Sequence, residues 1–343
     1  MKKILFFANT SHIEAVYTQM FFVNTIALLE ELGYNVIVTN KINDSIKCDY
    51  DAIFNYFYKK GVIASIIAKL RGKKVFFTGG IDDLDVKYAT TFRYIRQVFI
   101  FKICRWLADW CLVESHTDLN NINKICIFKN HKNLYYSPQA ADLKKYRSKI
   151  EDKENIFSTI CWLGEVSNPI RKGVDTALYY FKYLTGFDEF KDAKFYIIGR
   201  DGNARSYIED IIKKLELQNN VIITGEVTEE EKIQILRKSR YFFQLSKTEG
   251  FGLAALEALA SSCIPVHSGK GGLKDVIASD GVLIDIDNFD YSLDTVDTTV
   301  YERLKNITEG DINKMLERIY KTFDVSARKK NFENTIVNSM ENV

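Results

Sequence analysis

The sequence has little of what staples a chain, binds a metal or interrupts a fold. Among 343 residues there are 3 prolines, 4 histidines and 6 cysteines. So few prolines, with 18 glycines, argue against a long flexible linker. Cys48, Cys104, Cys111, Cys126, Cys161 and Cys263 are scattered, with no C-x-x-C pair and no histidine at ligand spacing. Neither a zinc site nor a disulfide framework is expected. Most of these thiols sit in apolar runs such as "KICIF" and "TICWL", which suits reduced, buried cysteine in a reducing compartment. No stretch approaches the roughly 20 apolar residues that cross a bilayer. The apolar run in "MKKILFFANTSH" stops at Ala8, short of a signal-peptide core of about seven to fifteen residues, and reads as a first buried strand. A cytoplasmic location is expected.

What is present is the composition of a folded protein: 46% hydrophobic and 27% charged residues, on a length that suggests about two domains. The net charge of +2 hides an asymmetry. Residues 1–140 hold 18 Lys/Arg against 12 Asp/Glu, and the rest holds 29 against 33. That imbalance, without a stacking motif, is too weak to imply nucleic acid. It does fit a first half that meets an anionic surface.

Short apolar runs alternate with longer amphipathic ones, the pattern of β-α units on a parallel sheet. Strands are expected at 3–8, 35–39, 52–56, 74–78, 111–115 and 125–128, with helices at 14–32, 60–71 and 88–109. A second series of strands is expected at 156–163, 194–199, 220–225, 241–245, 264–267 and 281–285. Helices near 173–185, 204–216, 228–238, 252–262 and 272–278 separate them. The charged stretch "DLKKYRSKIEDKEN" (142–155) is the best linker candidate. Two doubly wound α/β domains follow, 1–145 and 155–310, with a ligand site expected in the cleft between them. The helical tail 311–343 has no strand to serve and is a candidate to pack back onto the first domain.

The segment "YFFQLSKTEGFGLAALEAL" (241–259) reads as strand, loop and helix. Gly250 and Gly252 let the backbone approach a ligand, and the amides of Phe251, Gly252 and Leu253 would form an anion site at the helix start. Glu249, in the loop, suits a polyol; Glu257, more than a turn into the helix, suits a ribose diol. A nucleotide diphosphate sugar needs this combination.

Residues 156–285 resemble the donor-binding domain of the family-4, GT-B-fold glycosyltransferases (glycosyl transferases group 1). Five elements carry the resemblance: "LGEVSNPIRKGVDTAL" (163–178), "FYIIGRDG" (195–202), "NNVIITGEVTEEEKIQIL" (219–236), the Glu-x7-Glu of Glu249 and Glu257, and "IPVHSGKGGLKDVI" (264–277) followed by "GVLI". The first half resembles the family in layout only. The resemblance implies a GT-B fold of two Rossmann-like domains. It implies that Lys172 contacts the donor diphosphate, with Arg171 as a second cation. Glu249 would hold hydroxyls of the transferred sugar, Glu257 the ribose, and Gly225 to Val227 would border the base. Two positions depart from the pattern: Glu165 stands where the family usually has arginine, and Asp275 where it usually has glutamate.

On the acceptor side, Asp82 in "FFTGGIDDLD" (76–85) and His12 after the first strand are the candidates, each weighed against an ordinary turn or loop residue. His116, His131 and His267 show no partner pattern. The triplets Asp83-Leu84-Asp85 and Asp285-Ile286-Asp287 invite a metal reading, but the metal-using Asp-x-Asp belongs to another glycosyltransferase fold, and no catalytic metal or cofactor is expected. The stretch 87–110 interleaves Lys87, Arg93, Arg96, Lys102 and Arg105 with large apolar residues, which suits a helix at an anionic membrane surface as well as a packed helix with a basic outer face. The expected function is transfer of a hexose-type sugar from a nucleotide diphosphate donor, UDP favoured, to a glycan or lipid-linked acceptor with retention of configuration. Surface polysaccharide or glycoconjugate synthesis is the expected setting. The rivals are a GT-B sugar-nucleotide epimerase, a phosphorylase, and a non-catalytic GT-B-like partner subunit.

Overall fold

A computed structural model describes residues 1–81, 84, 89–125 and 133–341. The chain divides into two compact units, Met1–Ala141 with Phe323–Val343, and Asp142–Thr322.

The first unit runs β1 (Lys3–Ala8), α1 (Met20–Glu31), β2 (Asn35–Thr39), α2 (Asp44–Lys47), β3 (Ala52–Tyr56), α3 (Gly61–Leu70), β4 (Lys74–Thr78), α4 (Thr91–Leu107), β5 (Trp110–Val113), α5 (His116–Ile125) and β6 (Leu134–Tyr136). Its strands form one parallel sheet in the order β2-β1-β3-β4-β5-β6. Helices cover both faces, so the strands are apolar almost throughout rather than alternating. Successive side chains still point to opposite faces. Ile4, Phe6, Phe54 and Phe76 enter one core with α1, while Leu5, Phe7, Ile53, Val75 and Phe77 enter the other with α3 and α4.

Two expectations change here. The helix expected over 14–32 is a 3₁₀ turn at Ile13–Tyr17 followed by α1. Of the expected strand 125–128, Ile125 closes α5 and the rest lies outside the described residues. The sixth strand is instead "LYY" at 134–136, which pairs with β5 and is too short to stand out as an apolar run.

The second unit runs β7 (Glu154–Ile160), α6 (Ser167–Lys172), α7 (Val174–Leu184), β8 (Lys194–Ile198), α8 (Arg205–Lys214), β9 (Val221–Gly225), α9 (Glu229–Lys238), β10 (Ser239–Gln244), α10 (Leu253–Ala260), β11 (Ile264–His267), α11 (Leu273–Val276), β12 (Val282–Leu283), α12 (Val300–Lys305) and α13 (Glu309–Phe323). The sheet is parallel, in the order β12-β11-β10-β7-β8-β9. Counted within the unit, that is the doubly wound order 3-2-1-4-5-6. The charged stretch 142–155 is anchored on this unit: Leu143 and Tyr146 are buried, and the Lys153 ammonium donates to the Leu236 and Ser239 carbonyls at 3.0 and 2.7 Å. Burial holds that ammonium below its ordinary range.

The tail splits between the units. Residues 311–322 belong to the second, and the chain from Phe323, with α14 (Val325–Phe332), a π-helical turn (Glu333–Val337) and α15 (Asn338–Glu341), completes the first. Phe332, Ile336 and Met340 bury in the core of Phe6 and Phe54, each contributing roughly 2 kcal/mol by apolar burial. Arg328, 2% exposed, bonds to Gln139, which in turn donates to Tyr56 and Glu114.

Candidate active site

In an open parallel sheet a ligand binds beyond the strand ends where the winding reverses. In the second unit that point lies between β7 and β10, which pair directly. The chain after β7 leads to Lys172 and the chain after β10 to Glu249, and the structure brings the two together. Lys172 Nζ sits 2.5 Å from Glu249 Oε2. The same carboxylate oxygen accepts from Gln244 Nε2 at 3.3 Å and Ser246 Oγ at 3.4 Å, and Gln244 also donates to Ser246 at 2.7 Å. Glu249 therefore keeps neutral donors besides its cation.

Two glycines make the loops fit. Gly173 has φ +69°, and a Cβ there would lie 2.0 Å from the Leu245 carbonyl oxygen, so the turn after Lys172 presses directly onto the end of β10. The Lys247 amide donates to the Arg171 carbonyl at 2.8 Å and locks the same contact. Gly252, at φ +103°, caps α10. Phe251 and Gly252 are buried and Leu253 half-buried. Under the loop lies Asp175, fully buried, bonded to the Thr176 amide at 2.8 Å and the Tyr207 hydroxyl at 3.2 Å. Burial raises its carboxyl above the ordinary range, against the bonds from Thr176 and Tyr207.

Glu257 belongs to a different cluster. It is 4% exposed, and its Oε2 lies 2.9 Å from Lys232 Nζ, which also meets Glu229 at 2.8 Å. The Tyr146 hydroxyl donates to Glu229 Oε1 at 2.5 Å. Burial pushes the Glu257 carboxyl up while Lys232 pulls it down. Burial by itself would lower the Lys232 ammonium, but Glu257 and Glu229 raise it.

The other predicted residues are spread more widely. Arg171 is exposed on the last turn of α6. Glu165 is exposed and accepts from Asn203 Nδ2 at 3.1 Å. Gly225 ends β9, the edge strand, with Val227 half-buried just before α9. Asp285 Oδ1 accepts from the Asp287 amide at 3.0 Å and Asp287 pairs with Lys270 at 2.6 Å, so that triplet is a turn held by its own bonds. Asp82 and most of the Asp83-Leu84-Asp85 triplet lie outside the described residues.

In the first unit the winding reverses between β1 and β3. A cavity of about 380 Å³ opens there, lined by Asn9, Ser11, Phe57, Lys60, Gly80 and Gln97 among others. Phe57 takes φ +67°, a strained backbone for a bulky residue of the kind that clusters at ligand sites. His12 follows directly, exposed, with its amide on Thr10 Oγ1 at 3.2 Å.

Gln244, Ser246 and Asp175 escaped the sequence reading. Gln244 carried a signal, as the lone amide in the apolar run "YFFQL". Asp175 carried none beyond its place two residues after Gly173. Lys232 looked like one more solvated charge in "EEEK".

The sequence profile of glycosyl transferases group 1 matches residues 144–299, the span that contains both clusters of the second unit. Residues 144–299 belong to this family. Two curated relatives align over about half of this chain. A candidate glycosyltransferase, number 41, of Sulfolobus islandicus filamentous virus is 31% identical over 176 residues, 47% of this chain and 53% of that protein. The 2-deoxystreptamine N-acetyl-D-glucosaminyltransferase of Niallia circulans is 27% identical over 165 residues, 48% of this chain and 39% of the enzyme. The chain thus spans about half or less of the length of these curated relatives. Among solved structures, Anabaena Alr3699/HepE in complex with UDP and glucose superposes with a TM-score of 0.72 at 14% identity, over 98% of this chain and 100% of that one. The likeness shows the fold, which is GT-B.

Proposed function

We propose that this chain is a glycosyltransferase that moves a hexose-type sugar from a nucleotide diphosphate donor, UDP favoured, to a glycan or lipid-linked acceptor with retention of configuration and without a catalytic metal. The observation that carries the reading is the Lys172–Glu249 pair at the switch point of the second sheet, inside the group 1 segment. The UDP and glucose held by HepE and the sugar named in the Niallia relative support the donor class.

A donor diphosphate would replace Glu249 as the anion beside Lys172, with Arg171 as a second cation. Glu249, still held by Gln244 and Ser246, would then turn its free acceptor capacity to the sugar hydroxyls. The bond from the anomeric carbon to the phosphate oxygen breaks and the nucleotide diphosphate leaves. The acceptor oxygen bonds the same carbon from the same face, and its proton passes to the departing phosphate. Lys172 offsets the charge developing there. Gly225 to Val227 would border the base. Glu257 would reach a ribose only by exchanging Lys232, and we assign it the support of α9 against α10 first. The acceptor would enter the first unit's cavity, with His12 and Asp82 as the groups to position its hydroxyl.

The test is nucleotide release from UDP- and GDP-hexoses, beside Glu249→Ala and Lys172→Ala. Release of one nucleotide, reduced about 10²–10³-fold in each folded variant, is expected. An isomeric nucleotide sugar formed without acceptor would show an epimerase. Turnover that needs inorganic phosphate and no nucleotide would show a phosphorylase. Failure to bind either nucleotide would leave a non-catalytic partner subunit, and Glu165→Arg would then be the variant to make. An inverted product by NMR would overturn retention alone.

A further inference from the structure

The sequence of 87–110 suits a packed helix as well as a helix at a membrane surface, and over Thr91–Leu107 the structure shows which side chains are packed. α4 buries Gln97, Phe101, Cys104 and Leu107 against the sheet. Its opposite face carries Phe92, Ile95, Phe99 and Trp106, 74%, 61%, 66% and 83% exposed. Their spacing of three, four and seven places them along one side of the helix. α3 packs beside α4 on the same face of the sheet, with Ala64 and Ala68 turned inward. Its outer side adds Ile63, Ile66 and Leu70, the last 84% exposed. Two neighbouring helices therefore present large apolar side chains to the outside, where a soluble surface has scattered ones.

Within the two helices the charge is of one sign. Neither α3 nor α4 contains an Asp or Glu, whereas α4 carries Arg93, Arg96, Lys102 and Arg105, and Lys59 and Lys60 precede α3. Asp109 follows α4, but it is held by Lys69 at 2.7 Å and Lys74 at 3.6 Å. A second copy of this surface would set these cations against their own equivalents. A nucleic acid would answer the cations and leave the apolar stripe in water. An anionic bilayer answers both: phosphates meet the cations while the rings and aliphatic chains enter the boundary between headgroups and acyl chains. Among the described residues no helix is long and apolar enough to cross a membrane. The geometry is that of a surface lying on the bilayer.

We propose that the outer face of α3 and α4 docks this protein onto an anionic membrane surface. The helices that carry the face also border the cavity of the first unit, through Lys60 at the start of α3 and Gln97 on the inner side of α4. A lipid-borne substrate lying in that bilayer would have its headgroup near this opening. The docking itself rests only on the exposed face and its charge, independently of the proposed reaction.

Sedimentation of the full chain with vesicles tests it. Vesicles of phosphatidylcholine mixed with phosphatidylglycerol should carry the protein down, and pure phosphatidylcholine vesicles should not. Arg93→Gln and Lys102→Gln should each weaken binding on the order of fivefold, and raised salt should do the same. Phe99→Ser with Trp106→Ser should weaken it by about tenfold or more, with the circular dichroism spectrum and nucleotide binding unchanged. Equal binding to both vesicle types, binding unaffected by these substitutions, or no binding at all would overturn the proposal. A dimer in solution that Trp106→Ser dissolves, with no vesicle binding, would assign the face to a second copy and overturn it equally.

Discussion

The two glutamates of the Glu-x7-Glu segment each meet a lysine, at 2.5 and 2.9 Å, yet the two pairs are built for different ends. Glu249 sits on a loop at the sheet's switch point and keeps the amide of Gln244 and the hydroxyl of Ser246 if Lys172 turns to another anion. Glu257 sits inside a helix, almost without water, and Lys232 is its main counter-charge, shared with Glu229. The first pair can exchange partners at little cost. The second cannot, because separating it would strand a charge in a dry place. What distinguishes the two is the dryness of the site and the donors left behind: Glu249 keeps Gln244 and Ser246, whereas the Tyr146 hydroxyl beside Glu257 is already bonded to Glu229.

Breaking the buried pair should give the larger stability effect. Lys232→Ala is expected to destabilise the second unit by about 3–5 kcal/mol, read by urea unfolding, whereas Lys232→Met with Glu257→Leu should recover most of the loss. If the single variant costs no more than Lys172→Ala does, the contrast between the pairs is wrong.

A second probe is acid. Burial lowers the His267 imidazole from its ordinary 6.5 to about 4 at the end of β11. Its folded value lies below its unfolded value, so its share of stability is full above about pH 6.5 and falls as the pH drops towards 4. The loss should approach about 3 kcal/mol. His267→Gln should flatten the stability profile in that window. An unchanged acid limb would show that His267 is not what sets it.

The finest test concerns how Glu249 is held. Gln244→Leu removes one neutral donor and leaves Lys172 in place. Turnover should fall roughly tenfold, with the larger part of the change in kcat rather than KM, and Gln244→Asn should recover little because it is one methylene too short. Loss confined to stability, with kcat intact, would reduce Gln244 to a packing residue.

The strands were legible because parallel sheets buried on both faces leave continuous apolar runs. "KILFFA", "AIFNY" and "KVFFT" lie where they read. The three-residue β6 was not legible, since it is too short to make a run and is defined by its pairing with Val113 and its neighbours. Strand order was also hidden, and with it the fact that β7 and β10 are neighbours. The Glu-x7-Glu spacing pointed to both carboxylates but not to their different partners. Lys232 and Tyr146 reach the Glu257 cluster through tertiary packing, across 25 residues in one case and from the turn before β7 in the other. The apolar, basic character of α4 was visible in sequence. That its rings face outward and continue onto α3 was not, because an outward apolar stripe and an inward one have the same period.

The return of the chain at Phe323 has a consequence for synthesis. β1 to β6 are made first, but Phe332, Ile336 and Met340 fill part of their core and Arg328 caps the polar cluster of Tyr56, Glu114 and Gln139. On the ribosome the second unit has all its own residues by Thr322 and can close while the first still has an open groove along α1 and β3. The unit begun first is finished last, and until α14 and α15 emerge its exposed aromatic core depends on being shielded by something other than itself.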